Sequence, residues 1–376
     1  MNEPTSRCHA AVSGGGTSGH VLPALAIMDR LAARGHPKQA LHYVGTARGV
    51  ETRLLPPTGY PHTLLDVGGL QRSFAPRDIV RNLLFVPKLV RATWRARSLL
   101  RRLRPRVVVN VGGYASMPAT FAARLTHTPV VVVSYDLRPG LASKLGSRFA
   151  AVSATAFEGS PLRRARLVGA PIRPEIIAVD RTSGRTTARA ALGLPADRFI
   201  VAVFGGSLGA KAVNDAVSGL VMACATRSDL CVYHVVGERW RTAAPPERSG
   251  GDGIMYCVIG YEDRMPLLYE AADLLVTRAG ASTIAELAAT GTPAIVIPWP
   301  GAAENHQLDN ARTLSDGGGA ILLEQRELTA ARLTGLVERL MADPAELAGI
   351  SRAAGAAGQR HRGDSLIDVI DEVAGS

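Results

Sequence analysis

Short apolar runs alternate with amphipathic, helix-like stretches along the whole chain, and this alternation constrains the fold more than any other feature. Short runs without polar alternation are typical of strands that are buried on both faces of a parallel sheet, with helices covering each face. The predicted strands of the first half are 10–12, 42–44, 107–111 and 130–133. Those of the second half are 200–204, 231–236, 254–258, 274–277, 294–297 and 320–323.

The 376 residues are enough for two domains with full cores, and the 47% hydrophobic content indicates a folded protein. A polar, arginine-rich stretch over 173–197 suits a linker followed by a short helix. We therefore predict an α/β fold of two doubly wound, Rossmann-like domains that face each other across a cleft. The first domain spans 1–170 and is completed by a C-terminal helix over 356–376, and the second spans 171–355.

Composition narrows the class of protein. No apolar run approaches the ~18 residues of a membrane span, and the amino terminus shows no signal-peptide pattern. The four cysteines have no metal-ligand spacing, which indicates reduced thiols in a cytoplasmic protein. Neither an Asp-x-Asp motif nor another cluster with metal-ligand spacing is present, so no metal and no cofactor are predicted.

A net charge of +11 favours phosphorylated substrates, an anionic membrane surface or nucleic acid. Much of the charge lies in segment 79–106, where apolar residues also recur at helical spacing. Such a segment can lie on an anionic bilayer, and an equally open reading is a core-facing helix with a solvated basic face. Pro87 is expected to interrupt this helix. No aromatic-rich reading surface accompanies the arginines, which argues against a nucleic-acid-binding module. The apolar stripe is Ile79, Leu83, Val86, Val90 and Trp94.

Four glycine-rich turns each join a predicted strand to a predicted helix. Glycine lets the backbone approach a ligand closely, and helix starts offer unpaired N–H groups that suit a diphosphate. Parallel strands end at one edge of a sheet, so these turns should gather where open α/β sheets bind ligands. Each turn alone also fits simple packing. The turns are SGGGTSGH at 13–20, VGGYAS at 111–116, FGGSLGA at 204–210 and RAGAST at 278–283.

These motifs resemble the MurG family of GT-B glycosyltransferases, which move N-acetylglucosamine from UDP-N-acetylglucosamine to lipid I in peptidoglycan synthesis. The resemblance runs in order along nearly the whole chain. Its blocks are GGGTSGHVLPALA at Gly14, VETRLLPPTGYP at Val50, VGGYASMPA at Val111, VGAPIRPEI at Val168, FGGSLGAKAVNDA at Phe204, RAGASTIAELAATGTPAIVIPWP at Arg278 and ENHQLDNA at Glu304.

The resemblance implies a UDP-sugar site in the second domain. Glu286 corresponds to the glutamate that binds the ribose hydroxyls, although residues 283–286 also read as a capping box. Arg173 corresponds to an arginine near the phosphates, and an exposed linker arginine is the alternative. His306 departs from the family's usual glutamine. The implied diphosphate residues are Ser207, Gly280 and Ala281, the implied sugar residues are His306, Gln307 and Asn310, and Glu262 completes the implied UDP-sugar set.

The acceptor belongs to the first domain in this family. Thr17, Gly16, Tyr114 and Asp136 are the implied acceptor-side residues. Transfer requires a sugar hydroxyl to lose its proton, and His20 is the predicted catalytic base because imidazole exchanges protons near neutral pH. The alternative is that His20 only shapes the glycine turn. The resemblance implies metal-independent transfer, with helix starts and arginine stabilising the departing UDP.

One family block is replaced. Where the family carries His-Glu-x-Asn, this chain reads Val133-Ser134-Tyr135-Asp136, followed by an intact RPGLA. The loss falls on the acceptor side, while the donor motifs remain. Three functions therefore stay open: a peptidoglycan transferase with an altered acceptor site, a paralogue that glycosylates another hydroxyl acceptor in natural-product biosynthesis, and a non-catalytic UDP-sugar-binding protein.

Overall fold

Two seven-stranded sheets form the framework of the chain, one in each of two α/β units. The computed structural model describes residues 8–69, 85–206, 208–302 and 305–375. Unit 1 comprises Met1–Pro174 and Gly363–Ser376, and unit 2 comprises Glu175–Arg362. The chain therefore leaves unit 1 once and returns to it at its far end.

The sheet of unit 1 is parallel throughout, in the order β3-β2-β1-β4-β5-β6-β7. Its order reverses between β1 and β4, which is the switch point at which open α/β sheets bind ligands. The central strands are buried, and their side chains are mostly valine and alanine. The strands are β1 (Ala10–Ser13), β2 (Leu41–Thr46), β3 (His62–Leu65), β4 (Val107–Asn110), β5 (Val130–Ser134), β6 (Val152–Thr155) and β7 (Ala165–Leu167).

Helices cover the sheet of unit 1, and their buried faces are largely alanine and leucine. The helix at the far end of the chain packs against β4, β5 and β6. The α-helices are Ser18–Ala33, Glu51–Leu54, Phe85–Leu103, Met117–Thr126, Leu141–Ser147 and Ser365–Gly375. Short 3₁₀ turns lie at Lys38–Ala40, Pro56–Thr58 and Tyr114–Ser116.

Unit 2 repeats this plan in the order β10-β11-β9-β8-β12-β13-β14, and its switch point lies between β8 and β12. Among its described strands, only the β10–β11 pair is antiparallel. The strands are β8 (Phe199–Phe204), β9 (Leu230–Val235), β10 (Arg248–Ser249), β11 (Met255–Ile259), β12 (Leu274–Thr277), β13 (Ala294–Val296) and β14 (Ile321–Leu322). The α-helices are Arg185–Leu192, Lys211–Ala223, Met265–Ala271, Ala281–Thr290, His306–Ser315, Ala330–Ala342 and Pro344–Arg362, with the short helix Pro174–Ile177 at the boundary and 3₁₀ turns at Glu238–Ala243 and Gln325–Glu327.

The predicted α/β class with two doubly wound units is confirmed, and each predicted strand is present within a residue or two. Four strands were not predicted, namely β3, β6, β7 and β10. The segment 356–376 is not one helix, because a break at residues 363–364 separates Pro344–Arg362 from Ser365–Gly375. The first of these two helices belongs to unit 2 and the second to unit 1.

The basic segment predicted over 79–106 contains the helix Phe85–Leu103, while residues 79–84 lie outside the described residues. Pro87 does not break the helix, since it falls in the first turn, where its missing N–H needs no partner. Ala92, Ala96 and Leu99 face the core, whereas the stripe of Val86, Val90 and Trp94 is exposed. The helix is therefore core-facing, as the alternative reading expected, but through Ala92, Ala96 and Leu99 and not through the described part of the stripe. Over the described ranges, the structure contains no helix with the length and hydropathy needed to span a membrane.

Candidate active site

The first glycine turn links β1 to the helix Ser18–Ala33 at the switch point of unit 1. Gly15 and Gly16 have φ of 144° and 91°, in the region that favours glycine. A Cβ on Gly15 would overlap Glu51 Oε1, and one on Gly16 would lie 2.6 Å from Tyr114 Cε1. The glycines are thus needed because Glu51 and Tyr114 pack directly against the turn, which brings Gly16 and Tyr114 together as predicted.

The carboxylate of Glu51 fixes the backbone of this turn by hydrogen bonds. Its side chain is fully buried, and its Oε1 accepts hydrogen bonds from the backbone N–H of Gly16 at 2.9 Å and of Thr46 at 3.2 Å. Its Oε2 has no hydrogen-bond partner in the described part of the chain. Sequence reasoning did not identify Glu51 as a site residue; its only signal was its place in the family block that begins at Val50.

His20 lies in the first turn of the following helix, half-buried, and is surrounded by three turns. Its Nδ1 is 2.9 Å from the hydroxyl of Tyr135, which follows β5. The same hydroxyl donates a hydrogen bond to the carbonyl of Gly19. On another side, a Cβ on Gly113 would lie 2.9 Å from His20 Cδ2, so the turn after β4 also packs on the ring. The turns after β1, β4 and β5 therefore meet at this histidine.

The surroundings of His20 act on its pKa in opposite directions. Burial lowers the pKa below its usual value near 6.5, and this is the largest effect. The charge of Asp136, a backbone hydrogen bond with Val111 and the charge of Glu51 raise it, but they do not outweigh burial. The imidazole is therefore mainly neutral at pH 7, which is the form that can accept a proton.

The remaining residues that were predicted for the acceptor side lie around the same edge of unit 1. Tyr114 and Asp136 are half-buried, and burial together with Glu51 raises the pKa of Tyr114, so its phenol keeps its proton. Thr17 occupies the N-cap position of the helix Ser18–Ala33 with an extended backbone and an exposed side chain that makes no capping hydrogen bond. The structure thus gathers the predicted residues of unit 1 in the turns at one sheet edge.

In unit 2, the helix Ala281–Thr290 starts directly after the turn that follows β12. Gly280 is its N-cap, Ala281 its first residue, and its first turn contains no acidic side chain. The first-turn N–H groups have no intrahelical acceptors, and with the helix dipole they favour an anion at this position. Thr283 is the third helical residue and not a cap, so the alternative that residues 283–286 form a capping box was wrong.

Glu286 is held by a neighbouring tyrosine that sequence reasoning missed. The Tyr269 hydroxyl donates to Glu286 Oε2 at 2.7 Å, which fixes the rotamer of this half-buried carboxylate. Tyr269 itself is fully buried on the helix Met265–Ala271. No spacing rule links these two residues, because they lie on different helices and meet only in the fold.

The helix His306–Ser315 supplies the three residues implied for the sugar. His306 and Gln307 are its first two residues, and both are half-buried. Gln307 Oε1 accepts from the backbone N–H of Trp299 at 2.9 Å, and buried Asn310 donates through Nδ2 to the carbonyl of Ala279 at 3.5 Å. The start of this helix is therefore tied to the turns after β12 and β13, beside Gly280.

Three further residues were predicted for the UDP-sugar site. Ser207 lies outside the described residues. Arg173 belongs to unit 1, one residue before the end of its first segment. Glu262 is buried and accepts from the Tyr233 hydroxyl and from the backbone and guanidinium of Arg264. Burial raises the pKa of Glu262, yet these hydrogen bonds keep it below its usual range, so a structural ion pair accounts for this carboxylate.

Comparison with known proteins places these sites in a family. The Glycosyltransferase family 28 N-terminal domain matches residues 10–155, and the Glycosyltransferase family 28 C-terminal domain matches residues 200–365. A UDP-N-acetylglucosamine--N-acetylmuramyl-(pentapeptide) pyrophosphoryl-undecaprenol N-acetylglucosamine transferase from Nocardioides sp. (strain ATCC BAA-499 / JS614) is 41% identical over 363 residues, 96% of this chain and 97% of the relative. Its counterpart from Desulforudis audaxviator is 38% identical over 374 residues, 97% of this chain and 98% of the relative.

A solved structure gives the same result. The crystal structure of Acinetobacter baumannii MurG superposes with a TM-score of 0.71 at 26% sequence identity, covering 98% of this chain and 99% of that one. Similarity of this extent includes both units and both sets of turns. The fold is therefore that of the GT-B glycosyltransferases, and the chain belongs to the MurG family of UDP-sugar-dependent glycosyltransferases.

Proposed function

We propose that this protein transfers N-acetylglucosamine from UDP-N-acetylglucosamine to a hydroxyl group of a lipid-linked acceptor, lipid I by the names of its relatives. The observation that carries the proposal is the position of the His20 imidazole at the switch-point edge of unit 1, where Tyr135 contacts Nδ1 at 2.9 Å and burial lowers its pKa. An imidazole that is neutral at pH 7 can remove the proton of an attacking hydroxyl.

Unit 2 supplies the donor site in this proposal. The Glu286 carboxylate accepts hydrogen bonds from the ribose hydroxyls, and its fixed rotamer supports this role. The first-turn amides after Gly280, beginning with Ala281, meet the diphosphate, and Ser207 and Arg173 are the proposed additional phosphate contacts. The sugar hydroxyls lie against the start of the helix His306–Ser315, where the contacting residues are His306, Gln307 and Asn310.

The chemistry follows from these roles. His20 takes the proton of the acceptor hydroxyl, the oxygen forms a bond to the anomeric carbon of the sugar, and the bond from that carbon to the diphosphate oxygen breaks. The electron pair leaves with UDP, whose added charge is stabilised by the positive end of the helix Ala281–Thr290.

The direct test is UDP release from UDP-N-acetylglucosamine with a lipid I analogue. We expect turnover in the wild type and a loss of about 100-fold or more in kcat for His20→Ala, with UDP affinity unchanged. Because burial lowers the pKa of His20 and only the neutral form is a base, activity should fall on the acid side at a midpoint below pH 6.5. A fully active His20→Ala variant would remove this residue from the mechanism.

A second candidate function has one observation in its favour. Val133 and Ser134 are buried where the family pattern places a histidine and a glutamate, so the acceptor side differs while the donor residues remain. This favours a different hydroxyl acceptor, such as a natural product. Tight UDP-N-acetylglucosamine binding without turnover of the lipid I analogue would support this candidate over the first.

We also propose that the protein docks peripherally on the inner face of the cell membrane, where a lipid-linked acceptor would be reached. The helix Phe85–Leu103 supports this, because Val86, Val90 and Trp94 are 61%, 51% and 58% exposed on one stripe. Lys88, Arg91 and Arg95 alternate with them along the helix, in the arrangement that binds anionic headgroups.

A further inference from the structure

The hydroxyl of Tyr135 has two polar neighbours, and together they bear on whether His20 Nδ1 carries a hydrogen. It donates to the carbonyl of Gly19 and lies 2.9 Å from His20 Nδ1. Tyr135 is buried at the end of β5, inside the stretch where the family's His-Glu-x-Asn block is replaced. This pair therefore belongs to the part of the chain in which it departs from its family.

The proton count follows from elementary chemistry. A carbonyl oxygen has no proton to give, so the single phenolic proton of Tyr135 is used in the bond to Gly19. Burial raises the pKa of Tyr135 well above its usual value of 10, which keeps the phenol protonated. The hydroxyl oxygen can then only accept from His20, which favours a hydrogen on Nδ1. The Val111 backbone carbonyl also accepts from the ring, so the single N–H of the neutral imidazole has two acceptors. With that hydrogen on Nδ1, the lone pair is on Nε2.

We propose that Tyr135 is the positioning residue that fixes His20 in its Nδ1-protonated tautomer, so that Nε2 accepts the proton of the attacking hydroxyl. The inference rests on the proposed role of His20 as base. When Nε2 takes up the proton, the ring becomes an imidazolium whose Nδ1–H bond to Tyr135 is retained. This is the task that a carboxylate or carbonyl commonly performs for a catalytic histidine.

The chain offers a matched control in a second tyrosine. The Tyr43 hydroxyl donates to the carbonyl of Gly14 at 2.7 Å, and Tyr43 is fully buried in β2. Each hydroxyl thus donates to a backbone carbonyl, Tyr43 in the glycine turn and Tyr135 in the first helical turn after it. Of the two, Tyr135 is the one that also contacts His20. Tyr43→Phe removes a turn contact alone, whereas Tyr135→Phe removes a similar contact together with the histidine partner.

The first experiment measures the tautomer without any turnover, by two-bond ¹H–¹⁵N correlation of the histidine rings at pH 8, with His20→Ala used for assignment. We expect His20 to be the Nδ1–H tautomer in the wild type and in Tyr43→Phe, and a mixture in Tyr135→Phe. A wild-type His20 in the Nε2–H form would overturn the proposal, even if the Tyr135→Phe variant failed to fold. So would a Tyr135→Phe spectrum with an unchanged tautomer.

The second experiment asks whether the tautomer matters for transfer to the lipid I analogue. We expect Tyr135→Phe to lower kcat about 10- to 100-fold with KM for UDP-N-acetylglucosamine unchanged, and Tyr43→Phe to stay within about threefold of wild type. Equal losses in the two variants would reduce Tyr135 to a turn-shaping residue and refute the proposal. Failure of the base assignment itself would look different, since His20→Ala would then be active while the tautomer result still stood.

Discussion

Glu51 and Glu262 are both buried carboxylates, and their neighbours give them different tasks. Glu262 is bound by the guanidinium of Arg264 and a tyrosine hydroxyl, as is usual for a structural ion pair. The donors to Glu51 within the described chain are the backbone amides of Gly16 and Thr46. A Cβ on Gly49 would overlap Glu51 Oε2, so this carboxylate and the glycines around it determine each other's positions.

Replacing Glu51 should destabilise unit 1 through this turn. Glu51→Ala removes the acceptor of two buried N–H groups and leaves a cavity, for which we expect a loss of about 2–4 kcal/mol in the free energy of unfolding. Glu51→Gln keeps an acceptor oxygen, so its free energy of unfolding should fall by less. Urea denaturation of the three proteins measures the difference. An alanine variant as stable as the wild type would show that the turn does not depend on this side chain.

The proposed donor site can be tested at a single residue, Glu286. If Glu286 binds the ribose as proposed, Glu286→Ala should weaken UDP binding by about 2–3 kcal/mol, since the acceptor of two ribose hydroxyls is lost. Tyr269→Phe keeps the carboxylate and removes the hydrogen bond from the Tyr269 hydroxyl, so UDP affinity should fall by less. Isothermal titration with UDP measures both variants. Equal UDP affinity in Glu286→Ala and wild type would contradict the ribose assignment.

Among the elements, the helix Phe85–Leu103 separates its two faces most clearly. Its inner face packs on the sheet of unit 1, and its outer stripe carries a tryptophan over which the Arg97 guanidinium lies, 5.1 Å from the ring centroid. A cation over an aromatic ring is well suited to the boundary between headgroups and acyl chains.

Mutating the outer stripe should release the protein from anionic vesicles. We expect Val90→Glu and Trp94→Glu each to weaken binding to phosphatidylglycerol-containing vesicles at least tenfold, and salt to weaken the wild type. Leu125→Glu is the control, because Leu125 is similarly exposed, at 49%, on the helix Met117–Thr126. Cosedimentation gives the affinities. The docking proposal would fail if the control lost as much binding as the stripe variants.

The sequence predicted the strands that form apolar runs and missed those that do not, including β6 (Val152–Thr155), which is largely buried although polar residues alternate along it. The strand β4 (Val107–Asn110) is fully buried and stands out as an apolar run, whereas β7 (Ala165–Leu167) and β10 (Arg248–Ser249) are exposed edge strands without such a pattern. The candidate site shows the same division. Motifs identified the glycine turns and His20, but the contact between His20 and Tyr135 joins residues 115 positions apart, which no local pattern reports.

At the scale of the whole molecule, unit 1 is closed by residues from both of its chain segments. Buried Arg30 donates to the Gly363 carbonyl at 2.6 Å and to Asp364 at 2.7 Å. His9 and His36 stack at 3.6 Å, and both contact one carboxylate oxygen of Asp371, at 2.8 Å and 3.1 Å. These contacts hold the helix Ser365–Gly375 on the sheet.

Acid should weaken the whole molecule through buried histidines in both units. Burial lowers the pKa of His42, His234 and His361 to about 4, compared with 6.5 in an unfolded chain. The unfolded state therefore binds protons first as the pH falls, and stability is lost between pH 6.5 and 4. At pH 5 the loss amounts to about 2 kcal/mol for each histidine. Urea midpoints at pH 7.5 and pH 5 test this, and equal midpoints would contradict it.

The insertion of unit 2 between the two segments of unit 1 also sets an order of events during synthesis. The ribosome completes Glu175–Arg362 before Gly363 emerges, so unit 2 can fold while unit 1 still lacks the helix Ser365–Gly375. Until that helix arrives, the part of β4, β5 and β6 that it covers stays open to chaperones and to other nascent chains. The final packing of these three strands thus waits for the helix that is translated last.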